Sequence, residues 1–182
     1  MKAKVTVICH NKDRPVDDAT AGQQQIGTLF MLNIGDNAPT LTIPTDTGQF
    51  SLAEQGGKKV VVFFFPRADT SGCTKESIQF SALGDAFAAE NTVVIGVSKD
   101  TPTKQAKFRE KHGLTCLLGA DHETDFCERF GVWVEKSMYG KRYMGIQRAS
   151  FVIDVNGTVA AVWPKVKVDG HAEEVLTAVK AI

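Results

Sequence analysis

Neither sign of charge is in excess in this sequence, because 21 lysine and arginine residues balance 21 aspartate and glutamate residues. The chain therefore lacks the basic surface that attracts nucleic acid or an anionic membrane. It also has no apolar run near the roughly 18 to 20 residues that a membrane-spanning helix requires. The N-terminal stretch MKAKVTVICHNKD contains too little apolar sequence for a secretory signal, so we expect a cytoplasmic protein that binds neither membranes nor nucleic acid.

Cysteine is also scarce, with four residues in the chain: Cys9, Cys73, Cys116 and Cys127. Small secreted proteins that depend on disulfides use more cysteines at closer spacing. In a reducing compartment, four scattered cysteines indicate buried thiols or redox chemistry.

The length favours one domain, since a chain of 182 residues can fill a single hydrophobic core. Residues 1–33 differ from the rest, because VTVICH could form a short strand and DRPVDDATAGQQQ is polar and rich in turn-forming residues. We treat residues 1–33 as an N-terminal extension of unknown role and residues 34–182 as the folded domain.

Strand and helix patterns alternate from residue 34 onward. TLTIP and QFSLAE predict a small hairpin, VVVFFF a strand buried on both faces, and TVVIGVS and TCLLGA two further strands. ASFVID and TVAAVW are joined by Asn-Gly, which predicts an antiparallel pair. Helices are predicted over residues 74–90, from Pro102, with Thr101 as N-cap, to the residue before Gly113, in DHETDFCERFG, and over 171–182. This order predicts an α/β, thioredoxin-like fold with a central mixed β-sheet flanked by helices.

One cysteine occupies a special position in this pattern. In VVVFFFPRADTSGCTKESIQF, Cys73 comes shortly after a buried strand and stands where a helix begins. Open α/β sheets place their ligand sites at the carboxyl ends of strands. The unpaired N–H groups and the dipole at a helix N-terminus favour an anion, so a cysteine there is favoured as a nucleophilic thiolate. The plainer interpretation, which holds for most cysteines, is an inert buried thiol.

The residues before Cys73 exclude one kind of thiol chemistry. Thr70 stands where a Cys-x-x-Cys motif would have its first sulfur, so dithiol exchange within the motif cannot occur. A hydroxyl at that position can instead donate a hydrogen bond to the sulfur and to a bound oxygen atom, which suits attack on an oxygen electrophile.

Two segments resemble a known family. PRADTSGCT is similar to the Pro-x-x-x-Thr-x-x-Cys signature of peroxiredoxins, the thiol peroxidases that reduce hydroperoxides. FGVWVEKSMYGKRYMGIQRASFVID resembles the peroxiredoxin Q branch, also called bacterioferritin comigratory protein. The resemblance covers about residues 34–182 and implies reduction of hydrogen peroxide and organic hydroperoxides through a cysteine sulfenic acid, without a cofactor.

The resemblance also implies roles for five residues. Cys73 would be the peroxidatic cysteine, Thr70 and Pro66 would shape and shield its pocket, Arg148 would face the thiolate, and Glu76 would help to hold that arginine. Donors aimed at the oxygen atoms of the O–O bond would lower the barrier to its cleavage, which suits an arginine. The roles of Arg148, Pro66 and Glu76 each have a plainer alternative: a solvated arginine at a strand end, a proline that ends a strand, and a glutamate that compensates the helix dipole.

The chain departs from the family pattern at the next step. Many members of this branch carry a resolving cysteine five positions after the peroxidatic one, and Ile78 occupies that position here. We therefore predict a one-cysteine enzyme whose sulfenic acid is reduced by an external thiol: thioredoxin, glutaredoxin or glutathione. Cys116 and Cys127 fit buried structural thiols better, yet both remain candidate resolving residues, with Cys127 favoured because helix ends open more readily than strands. Cys9 lies in the extension, and its reach cannot be predicted.

Two further alternatives remain open. His112, Cys116, His122 and Cys127 lie near one another in the sequence, but their spacing does not match the close pairs of structural zinc sites, so we predict no metal. A thioredoxin-like binding or redox-sensing module without peroxidase turnover is the alternative function. We expect a monomer or a weak dimer.

Overall fold

The computed structural model describes residues 30–182, so Cys9 and the possible strand in VTVICH lie outside the described residues. The strands are β1 (Thr42–Thr45), β2 (Gly48–Ser51), β3 (Lys59–Phe64), β4 (Thr92–Ser98), β5 (Leu117–Ala120), β6 (Trp133–Met138), β7 (Lys141–Ile146), β8 (Ala149–Ile153) and β9 (Val159–Trp163). The helices are α1 (Ser71–Ala82), α2 (Gly84–Ala89), α3 (Pro102–His112), α4 (Phe126–Arg129) and α5 (His171–Lys180). None of these helices is long and apolar enough to cross a bilayer.

Seven strands form one sheet in the order β2-β1-β5-β4-β3-β8-β9. β3 is parallel to β4 and antiparallel to β8, and β4 is parallel to β5. The predicted mixed sheet flanked by helices is confirmed, as is the antiparallel pair β8–β9 around its Asn-Gly turn. Because β3 has neighbours on both sides, its carboxyl end lies inside the sheet and not at an edge.

The sheet separates two apolar layers. On one side, which we call the helix face, α1, α2, α3 and α5 cover Phe63 of β3 and Phe65, which directly follows β3. On the other side, the hairpin face, Phe64 packs against Phe126 and Phe130 in and after α4. This alternation along β3 explains why its sequence is apolar at every position: both faces of the strand are covered.

The height of α1 above the sheet depends on a close contact between two aromatic rings. Phe63 of β3 stacks on Phe80 of α1, with ring centroids 4.4 Å apart, and pairs with Gly96 of β4. A Cβ atom at residue 96 would lie 2.4 Å from the Phe63 ring. Gly96 therefore provides the space that this ring occupies beneath α1.

The helix predicted over residues 74–90 differs in its bounds. It begins at Ser71, which places Cys73 within its first turn, and it is interrupted at Leu83 before α2 begins at Gly84. A tertiary contact is made at this interruption, where the carbonyl oxygen of Ser81 accepts a hydrogen bond from Thr115 Oγ1 at 3.2 Å. Thr115 and Cys116 thus hold the end of α1.

Residues 133–146 form a hairpin that no sequence pattern had predicted. β6 and β7 make a separate two-stranded sheet, joined at Tyr139 and Gly140, which both have positive φ. Tyr-Gly is a weaker hairpin signal than Asn-Gly, and most side chains near the turn are exposed, so neither strand shows clear alternation. The base of this hairpin reaches the hairpin face of the sheet through Val132 and Ile146.

Candidate active site

Cys73 lies on the inner side of the first turn of α1. Thr70 is the N-cap residue in an extended conformation, and its carbonyl oxygen accepts the hydrogen bond from Thr74 N at 2.8 Å that closes the first turn. The inward-facing residues Cys73, Glu76, Ser77 and Phe80 recur at helical spacing and are all buried. Cys73 is only 1% exposed, so its sulfur is surrounded by protein.

Arg148 is the cation next to the sulfur. Its Nη2 lies 3.2 Å from Cys73 Sγ, and its Nη1 contacts the carboxylate of Glu76. Strand pairing explains how residues 75 positions apart meet: Ala149 pairs with Phe64, so the residue before β8 lies where β3 ends and the loop to α1 starts. The structure therefore brings Cys73, Glu76 and Arg148 together.

Burial makes the charges of this cluster interdependent. Burial raises the pKa of Glu76 to about 7, although the neighbouring Arg148 lowers it. For Arg148, burial opposes the charged form, but Glu76 and Cys73 raise the pKa overall. A guanidinium that stays charged within hydrogen-bond distance of a buried thiol favours the thiolate, and a thiolate is the nucleophilic form of cysteine.

A buried polar pair lies behind the arginine, and sequence reasoning missed it. His171, the first residue of α5, forms a hydrogen bond between its Nε2 and Ser150 Oγ at 2.8 Å. Burial, and then the charge of Arg148, lowers the pKa of His171 to about 4. Strand periodicity could have indicated Ser150, because it stands two positions after Arg148 and faces the same side of the sheet.

The loop between β3 and α1 places its residues differently from the expectation. Thr70 is exposed, and its hydroxyl donates to the carbonyl oxygen of Arg67 at 3.1 Å instead of to the sulfur. Pro66 is also exposed and directly follows the buried Phe65, in the loop that leads to Cys73. Asp69, at φ 64°, accepts hydrogen bonds from Lys111 at the end of α3, which ties the loop to that helix.

The candidate resolving cysteines lie on different faces of the sheet. Cys127 belongs to the hairpin face, across the sheet from Cys73. Cys116 belongs to the helix face with Cys73 and precedes β5, so it is not within that strand as predicted; its Sγ lies 3.5 Å from Ser81 Oγ. The preference for Cys127 over Cys116 therefore has no support in the geometry. Ile78, where the resolving thiol of many relatives would stand, is 44% exposed on the outer side of α1.

The histidines and cysteines between residues 112 and 127 do not form a metal-binding cluster. Within residues 30–182, no group of three or more His, Cys, Asp or Glu side chains is placed to hold a metal ion. His112 instead contacts Asp69, with His112 Nε2 2.8 Å from Asp69 Oδ1.

Comparisons with known proteins show the family to which the chain belongs. A model of the AhpC/TSA family matches residues 34–162. Peroxiredoxin Bcp of Bacillus subtilis (strain 168) is 42% identical over 150 residues, which cover 82% of this chain and 96% of the relative. The structure of Xanthomonas campestris peroxiredoxin Q is similar, with a TM-score of 0.77 at 36% identity over 85% of this chain and 98% of that one. The bacterioferritin comigratory protein of Xanthomonas campestris, whose alkyl peroxide reduction activity has been studied, gives 0.74 at 37% identity over 78% of this chain and 90% of that one.

Proposed function

The chain belongs to the AhpC/TSA family of peroxiredoxins, and from this premise we propose that it is a thiol-dependent peroxidase that reduces hydrogen peroxide and organic hydroperoxides through Cys73. One observation carries the assignment of the residue: Arg148 Nη2 lies 3.2 Å from Sγ of a cysteine in the first turn of a helix. Cys116 and Cys127 lack this arrangement, and burial raises the pKa of both thiols.

The reaction begins with attack of the Cys73 thiolate on one oxygen of the hydroperoxide. An S–O bond forms and the O–O bond breaks, so sulfur is oxidised to a sulfenic acid while the departing oxygen takes a proton and leaves as water or an alcohol. Arg148 offers N–H donors where negative charge passes from sulfur to oxygen. Glu76 holds that guanidinium, and Thr70 and Pro66 line the entrance, where the Thr70 hydroxyl can turn toward a bound oxygen.

The second step returns the sulfenic acid to the thiol. We propose that an external thiol attacks it, releasing water and leaving a mixed disulfide that a second thiol reduces. The position of Ile78 and the placement of Cys127 across the sheet support this one-cysteine cycle. Thioredoxin, glutaredoxin and glutathione each supply the required chemistry, and we propose that the protein works as a monomer or a weak dimer.

The test follows peroxide consumption by the purified chain with each of these three reductants. We expect turnover with at least one of them. Mass spectrometry after one equivalent of peroxide without reductant should find Cys73 as a sulfenic acid or its trapped adduct. A chain that is oxidised at Cys73 but never turns over with any thiol would support the redox-sensing alternative. A disulfide from Cys73 to Cys116 or Cys127 would overturn the one-cysteine cycle and leave the peroxidase assignment intact.

A further inference from the structure

The side chain of Lys136 runs along the β6–β7 hairpin toward the segment that carries Arg148. Lys136 is paired with Tyr143, yet its Nζ donates to the carbonyl oxygen of Ile146, 2.5 Å away and three residues further along β7. Its stem lies against Gly145, where an added Cβ would be 3.5 Å from Lys136 Cδ. The ammonium group is thereby held at the base of the hairpin, two residues before Arg148.

The base of the hairpin is fixed on both sides of this contact. Ile146 is 1% exposed and pairs with Trp133, and Gln147 N donates to the carbonyl oxygen of Val132 at 2.7 Å. Arg148 directly follows Gln147, and β8 begins at the next residue, so no long loop separates the hairpin from β8. The position of Lys136 is therefore coupled to the direction from which Arg148 approaches Cys73.

Lys136 differs from the other basic residues of the hairpin. Lys141 and Arg142 are exposed, whereas Lys136 is half-buried. Burial lowers the pKa of Lys136, Arg148 lowers it further, and Cys73 raises it. The charge of Lys136 thus interacts with the charges of Arg148 and Cys73.

The charges around the thiol come from several elements. Glu76 belongs to α1, Arg148 precedes β8 and Lys136 belongs to β6, while His171 of α5 is uncharged near neutral pH because burial lowers its pKa to about 4. Because burial raises the pKa of Glu76 to about 7, that carboxyl is mostly protonated at pH 6 and does not offset the cations there.

We propose that Lys136 is a positioning residue of the thiol site, which supplies its second positive charge and holds the segment that presents Arg148. The inference rests on the proposed function for its effect on turnover. Its effect on the reactivity of Cys73 does not depend on that function. Removal of a nearby cation makes the thiolate less stable, which lowers the reactivity of the cysteine with any electrophile.

The test compares Lys136→Met, Lys136→Arg and a matched control, Lys141→Met, which removes the same charge from the exposed part of the hairpin. The rate at which iodoacetamide alkylates Cys73, located by peptide mass spectrometry, is measured at pH 6 and pH 9 without peroxide, and kcat/KM is measured with hydrogen peroxide. We expect Lys136→Met to slow alkylation at pH 6 and peroxide reduction about three- to tenfold. Lys136→Arg keeps at least half of both rates, and Lys141→Met matches the unmodified protein.

The pH pair separates a charge effect from damage to the fold. Thiols ionise without help near pH 9, so alkylation of Lys136→Met should recover there. Equal slowing at both pH values, or rates that match the unmodified protein at pH 6, would overturn the inference. If the unmodified protein does not reduce peroxide, the proposed function fails, while the alkylation rates still decide the role of Lys136.

Discussion

Two buried cysteines on opposite faces of the sheet lie beside charges of opposite sign. Cys73, on the helix face, is 1% exposed and has Arg148 Nη2 at 3.2 Å from its sulfur. Cys127, on the hairpin face, is fully buried, and its backbone N–H donates to Asp121 Oδ2 at 2.8 Å. Burial, and then the negative charge of Asp121, raises the pKa of Cys127.

The comparison shows that burial alone does not decide whether a thiol reacts. Both sulfurs are removed from water, and both cysteines lie in the first turn of a helix. The sign of the neighbouring charge differs: a guanidinium donates to the sulfur of Cys73 on the helix face, whereas a carboxylate on the hairpin face raises the pKa of Cys127. Asp121 instead serves structure, because it accepts from Phe126 N and Cys127 N and pairs with Lys99.

The largest expected effect comes from removing the two sulfurs in turn. Cys73→Ser should lower peroxide turnover by at least about 10³-fold, because a serine hydroxyl stays protonated at neutral pH. Cys127→Ser should keep turnover per folded molecule. Thermal unfolding of both variants serves as the fold control, and a well-folded Cys73→Ser protein with more than a few percent of the original turnover would remove Cys73 from the reaction.

Removal of Arg148 should make the buried thiol on the helix face as unreactive toward peroxide as we expect the thiol on the hairpin face to be. We expect Arg148→Ala to lower kcat/KM for peroxide on the order of 10² to 10³, since it removes donors to both the thiolate and the transferring oxygen. Arg148→Lys should recover only part of this loss, because an ammonium group lacks the planar fork of donors. Stopped-flow kinetics with hydrogen peroxide provide the measurement, and unchanged kinetics in Arg148→Ala would contradict the assignment.

Removal of the anion should affect stability and not chemistry. Asp121→Ala leaves Lys99 without its buried partner and two backbone N–H groups without their acceptor, so we expect a loss of about 3 to 5 kcal/mol in the free energy of unfolding. Urea denaturation measures this loss. Peroxide turnover per folded molecule should not change, and a fall of more than threefold would mean that the hairpin face contributes to the reaction.

The pH dependence of stability gives the smallest expected effect. The pKa of Glu76 is about 7 in the folded protein against 4.5 for the free group, so the folded state binds the proton more tightly. Its contribution to stability is present below about pH 4.5 and is lost as the pH rises through about 7, a change of roughly 3 kcal/mol. Glu76→Gln should abolish this part of the pH dependence. The free energy of unfolding of the unmodified protein and of Glu76→Gln is measured by denaturation at pH 5 and pH 8. If it changes equally with pH in both proteins, the group that titrates is not Glu76.

Sequence patterns predicted most of the central sheet because its inner strands β3, β4 and β8 are covered on both sides and therefore largely apolar. α3 was also predictable, since Thr101 caps its start and Gly113, at φ 60°, ends it. The β6–β7 hairpin was missed because it is largely exposed and buries little on either side. Element bounds failed at a tertiary hydrogen bond, which Thr115 makes at the end of α1.

In the candidate site too, features set by local sequence were predictable and features set by tertiary contacts were not. The position of Cys73 followed from a strand and a helix next to each other in the sequence, whereas Arg148 required a resemblance, because a contact across 75 positions leaves no local pattern. The direction of the Thr70 hydroxyl depends on the carbonyl oxygen of Arg67, and the face on which each remaining cysteine lies depends on the whole sheet. Residue type and spacing contain neither piece of information.

The contact between Phe63 and Gly96 sets a condition on how this sequence can evolve. Alanine at position 96 would place its Cβ 2.4 Å from the Phe63 ring, so residue 63 would have to become smaller in the same step. A smaller residue 63 would in turn leave Phe80 without its stacking partner, seven residues along α1 from Cys73. We expect positions 63, 80 and 96 to change together across lineages, and a saturation library at position 96 of this chain to return glycine.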